Sequence, residues 1–214
     1  MNIKHIIWDW NGTLLNDSWL SIKAINILLK KYNLHEINKE RYLEMFTFPV
    51  IEYYKKLGFD FDKTPFSIVG TEFIKEYTDR MYEAKMQDGA RESLNYFHEI
   101  GITQSLLSAA KQQMLEDLMK FHNLEKYFIK ISGLNDHYAN SKVDEGKSWI
   151  SELKYDPNEV LLMGDTLHDV EVANEIGTEC VLIAQGHTSY DRLQSSSRNV
   201  FQNLNEFKRW YIKQ

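Results

Sequence analysis

The sequence predicts an α/β fold: a doubly wound, mostly parallel sheet with helices on both faces and an inserted α-helical module. Three observations predict it. The stretch "IIWDWNGTLL", residues 6–15, is an apolar strand running straight into a glycine turn. Residues from Asn16 to about Met86 carry helical spacing only. From Gly89 onward, strand patterns alternate with helix patterns, which is how a parallel sheet with covering helices is written in sequence. Joining the first strand to the alternating half gives a core of residues 1–15 plus 88–214, with residues 16–87 as an inserted helical domain.

Within the insert, "DSWLSIKAINILLKKYNL" opens with Asp17 and Ser18 as capping candidates. It then places Leu20, Ala24, Ile27 and Leu28 on one helical face. "KERYLEMF" and "VIEYYKKLGF" read as shorter helices separated by "TFP", and "PFSIVGTEFIKEYTDRMYEAKM" as one long helix despite Gly70. In the second half "ITQSLLS" reads as a strand, "AKQQMLEDLMKFHNL" as a helix and "YFIKISG" as a strand. "VDEGKSWISELKY" follows as a helix, "EVLLMGD" as a strand, "LHDVEVANEIG" as a helix and "ECVLIA" as a strand. "LNEFKRWYIK" is the last helix.

At 214 residues, 43% apolar and 13% aromatic, the chain can bury a core domain together with a smaller insert. Twenty-five basic against 31 acidic residues give a net charge of −6 with both signs dispersed. No basic run or stripe is present to neutralise phosphates, which argues against a nucleic-acid partner. Cys180 is the only cysteine, so no disulfide can form within the chain. In the apolar run "CVLIA" it reads as a small hydrophobe rather than a nucleophile. No stretch approaches ~18 uninterrupted apolar residues, so no membrane span is expected. The N-terminal apolar stretch is too short for a signal peptide and includes Asp9, making a cytoplasmic protein the expectation.

Ligands of open parallel sheets bind outside the carboxyl ends of the strands. Here those ends are polar. The first presents Asp9, Asn11 and Thr13. "QSLLS" ends at Ser108, "VLLMGD" ends at Asp165 with Asp169 four residues on, and Lys142 lies just ahead of the helix "DEGKSWISELKY". Singly, each has an ordinary explanation as a turn residue, a helix cap or a solvated lysine. Together they do not, because crowded carboxylates repel and raise one another's pKa, which marks a cation site or a catalytic role. Phosphoryl transfer at a Mg²⁺ site fits. Asp9, Asp165 and the Asn11 carbonyl offer hard oxygen ligands, and Thr13, Ser108, Lys142 and turn N–H groups offer phosphate donors. A carboxylate beside such an ion can attack phosphorus to form an aspartyl-phosphate.

The segments "DWNGT" at 9–13, "SLLS" ending at Ser108, "SKVDEG" around Lys142 and "GDTLHD" at 164–169 occur in this order along the chain. In this pattern the sequence resembles the haloacid dehalogenase-like hydrolase superfamily, dominated by phosphatases with a Rossmann-like core. The resemblance implies Asp9 as nucleophile with its other oxygen on Mg²⁺. The backbone carbonyl of Asn11 and the side chain of Asp165 would be further ligands, with Asp169 acting indirectly or through water. Thr13, Ser108 and Lys142 would grip the phosphoryl oxygens. Lys147 competes with Lys142 for the cation role, and Lys142 is preferred because it precedes the helix. The insert resembles the helical cap of phosphoglycolate phosphatases and β-phosphoglucomutase-like enzymes. The stretch "FTFPVIEYY", 46–54, is expected either to face the pocket or to form a packed helix–helix turn.

One residue departs from the pattern. Most phosphatases of the superfamily carry an Asp two positions after the nucleophile, which protonates the leaving group and then deprotonates the attacking water. Asn11 keeps the backbone carbonyl but cannot shuttle a proton, and such help is typically worth ~10²–10⁴ in rate. A good leaving group would tolerate the loss, as would substitution by His168, His187 or water. The expected activity is that of a Mg²⁺-dependent, phosphoglycolate phosphatase-like enzyme acting on a small phosphorylated metabolite, as a monomer or homodimer. Three alternatives remain. Dehalogenases lack the second Asp but work without magnesium, against which "GDTLHD" counts. Phosphonoacetaldehyde hydrolase keeps the metal and needs a cap lysine, for which Lys23, Lys30, Lys31, Lys55 and Lys56 are available. A degenerate phosphate-binding or partner-binding protein would have lost more of the site than Asn11 alone.

Overall fold

The computed structural model describes residues 2–134, 142–195 and 199–214. Its strands are β1 (His5–Trp8), β2 (Leu15–Asn16), β3 (Lys85–Met86), β4 (Thr103–Lys111), β5 (Lys130–Leu134), β6 (Val160–Gly164), β7 (Glu179–Ile183) and β8 (Val200–Phe201). Six of them form one sheet in the order β5–β4–β1–β6–β7–β8, every pairing parallel. The middle strands β1 and β6 are buried along their whole length, which is why they read as apolar runs rather than as alternating ones. The chain moves outward from β1 through β4 to β5, then returns to β6 on the other side of β1. That reversal makes the carboxyl end of β1 the switch point where a crevice opens.

Side-chain alternation sorts the core onto the two faces of the sheet. Ile6, Trp8, Leu106, Leu161 and Met163 join Phe97, Leu115 and Phe207 on one face. Ile7, Leu107 and Leu162 join Trp149, Val172 and Ile176 on the other. These faces are covered by α5 (Ala90–Glu99), α6 (Gln112–Phe121), α7 (Lys142–Glu152), α8 (Leu167–Ile176), α9 (Tyr190–Gln194) and α10 (Leu204–Tyr211). His5, in the first strand, is fully buried with both ring nitrogens bonded, to Thr103 Oγ1 at 2.8 Å and Ser105 Oγ at 2.7 Å. Burial lowers its pKa to about 4, so it is a neutral core histidine.

Between β2 and β3 lie α1 (Ser18–Lys31), α2 (Lys39–Met45), α3 (Val50–Leu57) and α4 (Phe66–Thr78). They enclose a hydrophobic cluster of their own that includes Ile25, Leu29, Tyr42, Tyr54 and Val69. Two of the contacts that tie this layer to the sheet side involve α2 and the residue after it. Arg192 donates to the backbone carbonyls of Leu43 and Phe46 at 2.5 and 3.0 Å, and the Tyr42 hydroxyl meets His187 Nδ1 at 2.7 Å. Among the described residues no helix is long and apolar enough to cross a membrane.

Several local expectations are corrected. The segment from Asn16 to Met86 is not helical throughout: its ends pair as a two-stranded antiparallel ribbon, Leu15 with Met86 and Asn16 with Lys85. Entry and exit of the layer lie side by side there, and pairing satisfies their backbone groups. The long helix from Phe66 stops at Thr78 and is followed by a 3₁₀ turn, Met81–Glu83, that leads into β3. The β4 strand continues past Ser108 to Lys111, with an irregular register after Leu107. Lys142 is the first described residue of α7 rather than a residue ahead of it; positions 135–141, including Ser141 of "SKVDEG", lie outside the described residues. The helices α5 and α9 and the short β8 were not anticipated. Asp17 sits at the N-cap position of α1, yet its side chain makes no capping bond; it is used elsewhere.

Candidate active site

The turn after β1 delivers Asp9 to the crevice, and the end of β6 delivers Asp165 beside it. One carboxylate oxygen from each of Asp9, Asp165 and Asp169 lies within 4.8 Å of the others, and all three residues are buried. Lys142 is 3% exposed and lies 2.5 Å from Oδ1 of Asp9 and 2.5 Å from Oδ1 of Asp169. Thr13 Oγ1 lies 3.1 Å from Asp9 Oδ2 and 3.2 Å from Asp165 Oδ1, close enough to donate to either carboxylate. Asp165 Oδ2 accepts the backbone N–H of His187 at 2.5 Å. Asp169 Oδ2 accepts from the Thr166 hydroxyl and from the backbone N–H groups of Thr166 and Asp165. Ser108 lines the same cavity, with its Oγ accepting the Ala110 N–H at 3.0 Å. Lys147, the competing lysine, is instead half-exposed, does not line the cavity and pairs with Glu175 at 2.6 Å.

Two glycines let the acids come this close. Gly12 holds φ at +79°, in the left-handed region, and a Cβ there would collide with the Asp165 carboxylate. A Cβ on Gly186 would strike the same carboxylate and the Gly12 backbone.

The electrostatics favour a cation. Burial raises Asp9 to about 6 despite Lys142, with Asp169 adding repulsion. Burial likewise raises Asp165 to about 8, partly offset by His187 and reinforced by Asp9 and Asp169. Asp169 is held low: burial opposes its charge, but Lys142 and the Thr166 donors outweigh that. Lys142 is likewise charged, with Asp169 and Asp9 overcoming its burial. Lys142 thus serves two of the three carboxylates, and among the described residues Asp165 has only Thr13 and the His187 N–H as donors. The donor set, hard carboxylate oxygens with a spare backbone carbonyl, fits Mg²⁺. That carbonyl belongs to Asn11, which no hydrogen bond among the described residues claims.

These shifts fix a pH dependence for the metal-free protein. A carboxyl raised from 3.8 stabilises the fold while protonated and loses that contribution as pH climbs through its folded value. The window is therefore from about 4 to 6 for Asp9 and from about 4 to 8 for Asp165. His187 is raised from 6.5 to about 9: burial disfavours its charge, but Asp17 and then Asp165 more than compensate. Its contribution is full below 6.5 and fades by about 9. Asp17 and Asp169 act oppositely, losing theirs only as pH falls below the ordinary carboxyl range. In EDTA, Tm is expected to fall by several degrees between pH 5 and pH 9. Added Mg²⁺ should raise Tm more at the alkaline end, because metal ligands must be deprotonated.

The sequence family model described as haloacid dehalogenase-like hydrolase matches residues 6–183. The chain belongs to that family. A pyrophosphatase PpaX of Listeria monocytogenes is 24% identical over 179 residues, covering 82% of this chain and 81% of the relative. An N-acetylmuramic acid 6-phosphate phosphatase of Pseudomonas aeruginosa is 22% identical over 192 residues, covering 87% and 84%. A haloacid dehalogenase-like family protein from Streptococcus pneumoniae, SP0104, superposes with a TM-score of 0.85 at 17% identity over 98% of this chain and 99% of that one.

In this haloacid dehalogenase-like hydrolase, sequence reading missed a second network beside the acids. Asp17 accepts the Gly12 N–H on Oδ1 at 2.8 Å, and on Oδ2 it accepts Asn11 Nδ2 and the Tyr77 hydroxyl, both at 2.8 Å. His187 Nε2 faces Asp17 Oδ1 at 3.3 Å. The advance signals were that Asp17 follows the first motif closely and that His187, 170 positions away, was named as a possible proton carrier; Tyr77, 60 positions away, gave none. His168, the other candidate proton carrier, lines the cavity, stacks on Phe48 at 4.7 Å and bonds Glu171 through Nδ1 at 2.9 Å. The stretch 46–54, for which pocket-facing and packed-turn readings were both open, contributes Phe46, Phe48, Val50, Tyr53 and Tyr54 to the cavity wall.

Proposed function

We propose that the protein is a Mg²⁺-dependent phosphatase that cleaves a small phosphomonoester through an aspartyl-phosphate on Asp9, with residues 16–87 acting as a cap over the site. The observation that carries this reading is the convergence of Asp9, Asp165 and Asp169 on one point beside Lys142. Asp9, Asp165 and the Asn11 backbone carbonyl would hold the ion, which when bound neutralises carboxylate and phosphoryl charge. Asp9 supplies the attacking oxygen. Lys142, Thr13 and Ser108 stand where they can orient the phosphoryl oxygens, and Asp169 fixes Lys142 for that task. The α1–α4 layer closes the cavity from above, where it excludes water from the reacting atoms.

The names of the relatives, a pyrophosphatase and a sugar phosphate phosphatase, support phosphate chemistry in general. The carboxylate cluster counts against metal-free dehalogenation. The lysines a Schiff base would need, Lys23, Lys30, Lys31, Lys55 and Lys56, are all exposed, and none lines the cavity. A phosphomonoester panel assayed with Mg²⁺ and with EDTA is the test. Phosphate release is expected only with the metal; metal-independent turnover of a 2-haloacid would refute the proposal.

A further inference from the structure

The residue that departs from the family pattern and the wall that faces it have a common chemical consequence. Asn11 Nδ2 donates to Asp17 Oδ2 at 2.8 Å and to the Tyr77 hydroxyl at 2.9 Å. Tyr77 gives its own proton to Asp17 at 2.8 Å, so the amide must turn its NH₂ end toward the pair, and both of its N–H bonds are engaged. The position two residues after Asp9 therefore has no proton to transfer and no N–H to spare for a departing oxygen. Without protonation there, with the two ring nitrogens of His187 facing Tyr42 and Asp17 and with His168 bonded to Glu171, the leaving group must carry off its electron pair as an anion. An aliphatic alcohol, about as weak an acid as water with its pKa near 15.7, is ill suited to this. A phenol, with a pKa of about 10, is suited.

The opposite wall fits the same kind of molecule. The cavity, about 190 Å³, is closed on the α1–α4 side by Ile25, Phe46, Phe48, Tyr53, Tyr54 and Phe73. Its volume is room for roughly a dozen waters, enough for a phosphoryl group and a ring. Among its described lining residues Lys142 is the only lysine or arginine, and it is already engaged by Asp9 and Asp169. The other cation of the lining, His187, faces Asp17 and Tyr42, so a second phosphate or a carboxylate on the substrate would meet no uncommitted lysine, arginine or His187 charge there, whereas an aromatic ring would meet ring faces and edges.

We infer that the site takes aromatic phosphomonoesters, with the phenolic oxygen as leaving group. The inference rests on the phosphatase reading above and narrows it. The bond from an Asp9 oxygen to phosphorus forms as the bond from phosphorus to the aryl oxygen breaks. The electron pair stays on the phenolate, which takes a proton from water on release. A second water then attacks phosphorus, returning the Asp9 carboxylate and releasing inorganic phosphate.

The test compares kcat/KM with Mg²⁺ for phenyl phosphate, 4-hydroxyphenyl phosphate, glycerol phosphate, phosphoglycolate and pyrophosphate. The aryl esters are expected to exceed the two alkyl esters by at least ~10²-fold, the low end of what acid assistance is worth, and to exceed pyrophosphate because its second phosphate meets no lysine or arginine in the α1–α4 wall. The double exchange Asn11→Asp with Asp17→Asn restores a carboxyl at the acid position while keeping one amide and one acid in contact. It should narrow the aryl-to-alkyl ratio at least ~10-fold. Phosphoglycolate or pyrophosphate turned over as well as phenyl phosphate would overturn the inference and leave the phosphatase reading intact. Phosphate release from none of the five would overturn both.

Discussion

Asp9→Asn is expected to abolish phosphate release, lowering kcat by on the order of 10⁴–10⁶-fold, the scale seen when a covalent nucleophile is removed. The substitution is nearly isosteric, and Asp9 is 8% exposed at the end of a strand buried on both faces, so shape is not the cause. The amide cannot attack phosphorus, and it exchanges a charged ligand for a neutral one where Asp165 waits within ion-sharing distance. The same change relieves repulsion, since burial and Asp169 already work against the Asp9 charge. The variant should therefore be at least as stable as the parent in EDTA while gaining less from Mg²⁺. Calorimetry with and without metal, run beside the phosphate assay, separates the two effects. Loss of activity through unfolding alone would remove the case for Asp9 as nucleophile.

Lys142→Met should have the largest effect on stability. The ammonium is buried and touches two buried carboxylates, Asp9 and Asp169, at 2.5 Å each. Removing one partner of such a group leaves charge without compensation, and breaks of this kind cost roughly 3–5 kcal/mol. Methionine keeps most of the stem's volume, so the loss reports charge rather than packing. The deficit should grow with pH as the acids lose their protons, and Mg²⁺ should recover part of it by replacing the missing positive charge. Catalysis should also fall by ~10²–10³-fold, the usual result of deleting a donor that stabilises developing charge. Denaturant titrations at pH 5 and pH 8 check the first effect and initial rates the second. Lys147→Met, on the exposed pair with Glu175, should do neither.

How much of this was legible in the sequence depends on range. The order of strands and helices was readable because burial writes itself locally: β1 and β6 are continuous apolar runs ending in Asp9 and Asp165, and each acid is fixed by its neighbours in the chain. Lys142 was chosen over Lys147 on position relative to a helix, and the geometry puts Lys142 on the acids, although at the start of that helix rather than ahead of it. What could not be read was built from distant pieces. The β2–β3 ribbon joins residues about seventy positions apart. Asp17 looked like a helix cap, the ordinary use of an Asp before an apolar run, because Tyr77 and His187, which claim it, come from other elements.

Acid quench during turnover of phenyl phosphate, followed by digestion and mass analysis, reads out whether Asp9 becomes covalently modified. With Mg²⁺, the peptide containing Asp9 should carry one phosphoryl group. The modified form should accumulate, because Asn11 cannot take a proton from the water that must cleave it. With EDTA it should be absent. Phosphate release that continues with no modified peptide, or with the phosphoryl group on another residue, would rule out Asp9 as the nucleophile.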